Sequence, residues 1–203
     1  NKNQAYWNHG VREISPGNAY DYELQITDDY LSQYAQQGME KQNKPFFLFH
    51  NISLPHMPYF DVDDEYKLKY IEAQPPLREN VKLGDDADFI ERWFKIYWFD
   101  SLYYNHHGEQ YQTLPDGFDM EKLYAMYCGL ISAADAQVGR LMAMLRRYGL
   151  IDNTIVVFCS DHGDNMGSHG LFNKDVSFEE SIHIPLLVSC PGIPAGLCTD
   201  CVS

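Results

Sequence analysis

The chain has 203 residues, 45% of them hydrophobic and 22% charged, a composition that supports a buried core and excludes a disordered chain. Fifteen basic against 29 acidic residues leave a formal net charge of −14. That balance argues against a nucleic-acid binder or a polybasic membrane contact, and means that an anionic substrate would need a local cation cluster or a metal.

The apolar runs PFFLF and IVVFC are far shorter than the roughly 20 residues of a membrane span. Residues 1–26 are polar and aromatic, with SPGN as a turn signal, and read as mostly loop. Thr27, followed by Asp28 and Asp29, predicts a helix start, because a hydroxyl cap and first-turn acids complement exposed N–H groups. Tyr30, Leu31, Tyr34 and Ala35 supply its buried face, and it should end within residues 38–41. After Lys44-Pro45, the run FFLFHNIS reads as a buried parallel strand that terminates in LPHMPY.

Residues 61–84 are charged and contain proline, which predicts surface loop and a short helix. In residues 86–104, Ile90, Trp93, Phe94 and Tyr97 recur at helical spacing and predict packing against a sheet, with a substrate-facing aromatic wall as the alternative. The clearest helix follows: Asp119 caps it, Leu123, Met126, Tyr127, Leu130, Ala134, Val138, Leu141 and Leu145 mark one face, and Gly149 stops it. NTIVVFCS and HIPLLVSCPG read as two further strands. The pattern predicts an α/β fold with a mostly parallel sheet, in which residues 46–52, 154–159 and 185–189 are neighbouring or near-neighbouring strands and 120–148 a covering helix. There is no internal repeat, so one compact body is expected.

Five cysteines make an odd count without a disulfide framework. Cys159 and Cys190, in apolar runs, are expected as buried thiols. Cys198 and Cys201 form C-x-x-C without a redox context or a second pair for zinc, and read as a frayed end. A chain that starts at Asn1 and stops at Ser203, just after a Pro-Gly turn, is expected to be an internal piece of a longer protein.

Ligands of open α/β sheets collect beyond the carboxyl ends of the strands. NISLPHMP puts His56 after the first strand, and CSDHGD puts Asp161 and His162 after the second. A turn at Gly163 lets that carboxylate and imidazole reach one cation, as a divalent ion requires, although DHGD also reads as a glycine turn with solvated acids. Lys174 follows HGLFN and precedes a short predicted helix at SFEES. Alone it is a surface charge; its interest comes from its neighbours.

Three ordered segments carry a family resemblance. TIVVFCSDHGDNMGSHGLFNKDVSFEESIHIPLLVSCPG resembles the metal-binding and substrate-binding segment of type I sulfatases, members of the alkaline phosphatase-like superfamily. KPFFLFHNISLPHMPY is similar to the family's strand and Pro-His-x-Pro turn, and LYAMYCGLISAADAQVGRLMAMLRRYGLIDNT to its long helix before the metal strand. The resemblance implies an alkaline phosphatase-like α/β fold, with residues 1–203 part of a single catalytic domain. It implies that Asp161 and His162 are ligands of one divalent ion, calcium by type, that Lys174 binds the sulfate oxygens and that His56 contacts the same group and assists the leaving alcohol. His169, in the family's Gly-x-His-Gly turn, would orient the loop. Glu179 and Glu180 would cap or support the next helix.

The family's nucleophile is a formylglycine made from Cys or Ser in a C/S-x-P/A-x-R motif. No cysteine here has that surrounding, and neither Ser15 nor Ser53 has an arginine correctly placed. The nucleophile and the paired Asp ligands are therefore expected on another segment. The implied substrate is a carbohydrate or small-molecule sulfate ester, and export from the cytoplasm is implied by resemblance alone. Two alternatives stay open. One is phosphoryl chemistry of the same superfamily, as in phosphodiesterases, phosphonate monoester hydrolases or phosphoethanolamine transferases, some of which use two zinc ions and a further His ligand such as His169 would be. The other is a non-catalytic binding module that keeps the fold.

Overall fold

The computed structural model describes residues 16–41, 45–56, 59, 63–81 and 119–197. In chain order these form α1 (Pro16–Lys41), α2 (Asp64–Ala73), α3 (Met120–Arg147), a 3-10 turn (Ile151–Asn153), β1 (Val156–Cys159), the one-turn α4 (Glu179–Ile182) and β2 (Leu186–Ser189). None of the described helices is long and apolar enough to cross a membrane.

The long helix α3 organises the rest. Asp119, in extended conformation, accepts the Lys122 N–H at 2.8 Å and satisfies one of the orphan donors of the first turn. Arg146 and Arg147 complement the dipole in the last turn. Gly149 then adopts φ +68°, which a side chain would resist, and the Leu150 N–H returns to the Leu145 carbonyl at 2.8 Å. Apolar residues at helical spacing bury Leu123, Met126 and Leu130 against Leu54, Tyr59 and Phe172.

α2 lies against α3 where Gly129 removes a side chain: a Cβ there would sit 3.1 Å from the Tyr66 carbonyl oxygen. The Tyr70 and Ser132 hydroxyls hydrogen-bond across the same contact at 2.7 Å. α1 is tied to the end of α3 by Asp28, whose carboxylate accepts from the Arg147 guanidinium and, at 2.9 Å, from the Tyr148 hydroxyl.

Several expectations need correction. The first helix starts at Pro16, eleven residues before Thr27, and Thr27 is a buried interior residue whose hydroxyl lies 2.8 Å from His50 Nδ1. Its hydroxyl serves a partner distant in sequence rather than the helix start. Residues 46–52 carry no strand assignment, although their side chains alternate as an extended chain dictates. Phe46 meets Tyr34 edge-on at 4.8 Å, while Phe47 and Phe49 point outward, 88% and 80% exposed.

β1 and β2 form where two apolar runs were expected, but they pair antiparallel, Val156 opposite Ser189 and Cys159 opposite Leu186. The connection explains the direction. Just past the end of β1, the Gly163 N–H donates to the Ser181 carbonyl at 2.7 Å, so the chain turns back at the end it has just left instead of crossing to the far end. Val157, Leu187 and Val188 are exposed, and with them Cys159, while Cys190 is only half-buried, so the two thiols are not the buried groups expected. Residues 86–104, Cys198 and Cys201 lie outside the described residues.

Candidate active site

Beyond β1 the backbone turns sharply at Ser160–Gly163, held by its own polar groups. The Ser160 hydroxyl donates to the His162 carbonyl at 2.6 Å, and Asp161 Oδ1 accepts the His162 N–H at 3.0 Å. His162 Nδ1 lies 2.8 Å from the Gly163 carbonyl. A carbonyl only accepts, so Nδ1 carries a proton, and in the neutral imidazole Nε2 then presents a lone pair. That lone pair lies 3.6 Å from Asp161 Oδ2, on a carboxylate that is 85% exposed.

Two electron-pair donors facing each other could serve a cation. With Ca–O distances of about 2.3–2.6 Å, adjacent ligands of one calcium ion are separated by roughly 3.4 Å, and the observed spacing fits. Among the described residues no group of three or more His, Cys, Asp and Glu is placed to hold a metal, so these two would be a partial set. Gly163 is required for space, not for a left-handed φ: a Cβ would lie 2.1 Å from the Glu180 carbonyl oxygen.

His56 and Lys174 meet across 118 residues of sequence, with Lys174 Nζ 3.1 Å from His56 Nε2. An ammonium has no lone pair, so it donates and the imidazole accepts, which puts the His56 proton on Nδ1. His56 is presented by a turn in which its N–H donates to the Ser53 carbonyl at 2.9 Å, with buried Leu54 anchoring the turn to the core; the Leu54–Pro55 bond is cis.

Lys174 stands at the end of an irregular but buried loop, residues 164–173. Arg78 Nη1 reaches the Asp164 and Asn165 carbonyls at 3.2 and 3.0 Å and thereby satisfies backbone that helix or sheet would otherwise have paired. Asn80 accepts the His169 N–H through its own carbonyl at 2.9 Å. Its side-chain amide donates to Glu180 Oε1 at 2.5 Å and lies 3.2 Å from His169 Nε2, which is also 3.4 Å from Glu180 Oε2. The His169 ring stacks on Phe178 with centroids 4.0 Å apart. The Nε2 edge and one face of the His169 ring are thus engaged in holding the loop. Burial pushes the Glu180 carboxyl up, but Asn80 and His169 together bring it below its ordinary value. Glu180 thus faces this loop rather than capping α4.

Asp164 is the pivot of the loop. One carboxylate oxygen accepts the Met166 and Asn173 N–H groups at 2.9 and 3.0 Å, and the other accepts the Tyr59 hydroxyl at 2.5 Å. Burial pushes its carboxyl up, opposed by Tyr59, by the two N–H groups and by the charge of Lys174. Arg78, Asn80, Tyr59 and Asp164 were not singled out as site residues from the sequence. The loop-side partners of Arg78, Asn80 and Tyr59 lie 86 to 105 positions away, and only the Gly- and Asn-rich character of residues 163–173 hints at an irregular loop that needs outside support.

The site is therefore two pairs, Asp161 with His162 and His56 with Lys174, joined by one pinned loop. The sulfatase family model matches residues 1–196. Human iduronate 2-sulfatase is 31% identical over 183 residues, covering 85% of this chain and 32% of that protein. PehA of Trinickia caryophylli, a multifunctional alkaline phosphatase superfamily protein, is 31% identical over 158 residues, covering 75% and 30%. The solved structure of yidJ from Bacteroides fragilis superposes with a TM-score of 0.59 at 28% identity, covering 89% of this chain and 32% of that one. The chain thus spans about a third of the length of the curated relatives it matches, and the expected alkaline phosphatase-like α/β class is borne out.

Proposed function

This chain belongs to the sulfatase family, and from that premise we propose that the protein hydrolyses sulfate esters at a site to which His56, Asp161, His162 and Lys174 contribute. The observation that carries the reading is the 3.1 Å contact that joins Lys174 to His56 across 118 residues of sequence. A sulfate ester gathers negative charge on its leaving oxygen as the S–O bond breaks, and preorganised cationic donors aimed there lower the barrier. Lys174 has three N–H donors, and on binding an anion it shares them between the sulfate oxygens and His56 Nε2. His56, held with its proton on Nδ1, orients the ammonium in the resting site and stands beside the leaving alcohol.

Asp161 and His162 would hold one divalent ion, calcium by our reading, which when bound supplies positive charge against the sulfate oxygens. The nucleophile, a formylglycine, is assigned to a segment outside residues 1–203, which carry no C/S-x-P/A-x-R motif. Residues 1–203 are then part of a single sulfatase-type catalytic domain. The exposed apolar side chains of β1 and β2 support this, because strands apolar on both faces are stable when both are covered.

Among sulfate esters we place carbohydrate sulfates first, on the similarity to iduronate 2-sulfatase. The second reading is phosphoryl transfer of the alkaline phosphatase superfamily, to which PehA is also assigned. The engagement of His169 by Asn80, Glu180 and Phe178 speaks against a further zinc ligand there. Assay of the full-length protein against aryl sulfate, phosphodiester and phosphonate monoester tests the ranking: sulfate turnover should dominate, and phosphodiester turnover far above it would reverse the order.

A further inference from the structure

The geometry points to Asp164 and Tyr59 as positioning residues: a single carboxylate ties the segment carrying His56 to the segment carrying Lys174 and so sets the spacing of that pair. Tyr59 stands three residues after His56, and Asn173 immediately precedes Lys174. Asp164 holds the Tyr59 hydroxyl on Oδ2 at 2.5 Å and the Asn173 N–H on Oδ1 at 3.0 Å, with the Met166 N–H on the same oxygen at 2.9 Å. Both oxygens are committed, so the carboxylate has no remaining rotation that keeps its partners.

Each end it joins is packed locally as a unit. Tyr59 is fully buried and packs edge-on against Tyr127 at 5.6 Å. Asn173 is buried in a left-handed conformation, φ +67°, and its carbonyl accepts both the N–H and the side-chain amide of Asn165, at 2.8 and 2.6 Å. A shift of Asp164 therefore moves either end relative to the other, and the 3.1 Å Lys174–His56 contact is the distance that changes. The role is one of geometry, not of charge: an asparagine at 164 can accept the two N–H groups through its oxygen and donate its amide to the Tyr59 oxygen.

The inference rests on the reading of His56 and Lys174 as the anion-binding pair, and its test separates the two. In the full-length protein, Tyr59→Phe removes one hydroxyl and nothing else. A crystal structure of that variant should show the Lys174–His56 contact lengthened by about 1 Å. Because a misplacement of that size costs on the order of 100-fold in rate, kcat for sulfate ester should fall at least tenfold with KM little changed. Asp164→Asn should retain the spacing and hold kcat within about threefold, whereas Asp164→Ala should resemble Tyr59→Phe.

Tyr59→Phe with both spacing and kcat unchanged overturns the inference, even if its melting temperature falls, because that is a purely structural role. Asp164→Asn as impaired as Asp164→Ala overturns it too, in favour of the carboxylate charge. If the wild-type protein turns over no sulfate ester, the functional reading fails, and the crystallographic spacing still decides this one.

Discussion

Gly163→Ala tests whether the close approach of two backbone segments holds the Asp161–His162 pair in place. The added Cβ would lie 2.1 Å from the Glu180 carbonyl oxygen and 3.0 Å from its carbon, both backbone atoms that no rotamer change can move. Relief to an ordinary contact requires a displacement of about 1 Å between the Asp161–His162 turn and α4, comparable to inserting a methyl group in a packed core, at about 1–3 kcal/mol. The same movement breaks the 2.7 Å bond from the Gly163 N–H to the Ser181 carbonyl, adding about 1–3 kcal/mol for a pair left unsatisfied away from solvent. Together they predict a loss of roughly 2–6 kcal/mol in denaturant unfolding of the full-length protein. They also predict calcium affinity at least tenfold weaker by calorimetry, because the turn bearing both proposed ligands moves. A variant with wild-type stability and affinity would show that this approach does not position the pair.

Lys174→Ala in the full-length protein should lower turnover of sulfate ester by about 100- to 1,000-fold, the usual loss for one preorganised donor, while circular dichroism and melting temperature stay near wild type. Asp161→Asn should weaken calcium binding in titration as well as turnover, a double signature that Lys174→Ala should lack. Residues 1–203 alone should show neither sulfatase activity nor tight stoichiometric calcium binding, because they hold two expected ligands where calcium takes about six to eight, and tight binding in calorimetry would contradict the assignment. His50 gives a pH dependence: desolvation holds its pKa below the ordinary 6.5, so the unfolded chain binds the proton first. Its contribution to stability is full above about pH 6.5 and is lost as pH falls through the depressed folded value. The melting temperature should therefore drop between about pH 7 and pH 5, and His50→Gln should flatten that part of the profile.

Where a structural decision is local, the sequence discloses it. The helix α3 is bounded by Asp119 and Gly149 as its residue pattern predicts, because a cap side chain three residues from its donor and a glycine at a left-handed C-terminus act within one turn. Thr27 failed as a helix start for the opposite reason: its hydroxyl is used by His50, 23 residues on, and the residues before it go on as helix. The strand runs were legible from their apolar character, but not their direction, which is set by the Gly163–Ser181 bond at the turn. The residues Asp161, His162, His56 and Lys174 were legible as residue types in familiar segments, while Asp164, a few positions away, received no role of its own although it carries three hydrogen bonds that organise the loop.

The loop that carries Lys174 shows why such residues escape pattern reading. Met166, His169, Asn173 and Asp175 all have positive φ, at 43°, 58°, 67° and 75°, within ten residues. Taken alone, each left-handed non-glycine costs about 1–2 kcal/mol, less at Asn173 and Asp175, whose short polar side chains tolerate the conformation, so local preference opposes this path by roughly 3–6 kcal/mol. Met166, Leu171 and Phe172 are fully buried by it, and at about 1.5–3 kcal/mol each their burial contributes a comparable sum in the other direction. The two nearly cancel. What selects this one path is then the set of hydrogen bonds from outside the loop, Tyr59 to Asp164, Arg78 to the carbonyls of Asp164 and Asn165, and Asn80 to the backbone of His169. A loop balanced in this way keeps Lys174 in place only while those distant donors and acceptors are present, so substitutions at Tyr59, Arg78 or Asn80 should perturb the Lys174–His56 pair more than their distance in sequence suggests.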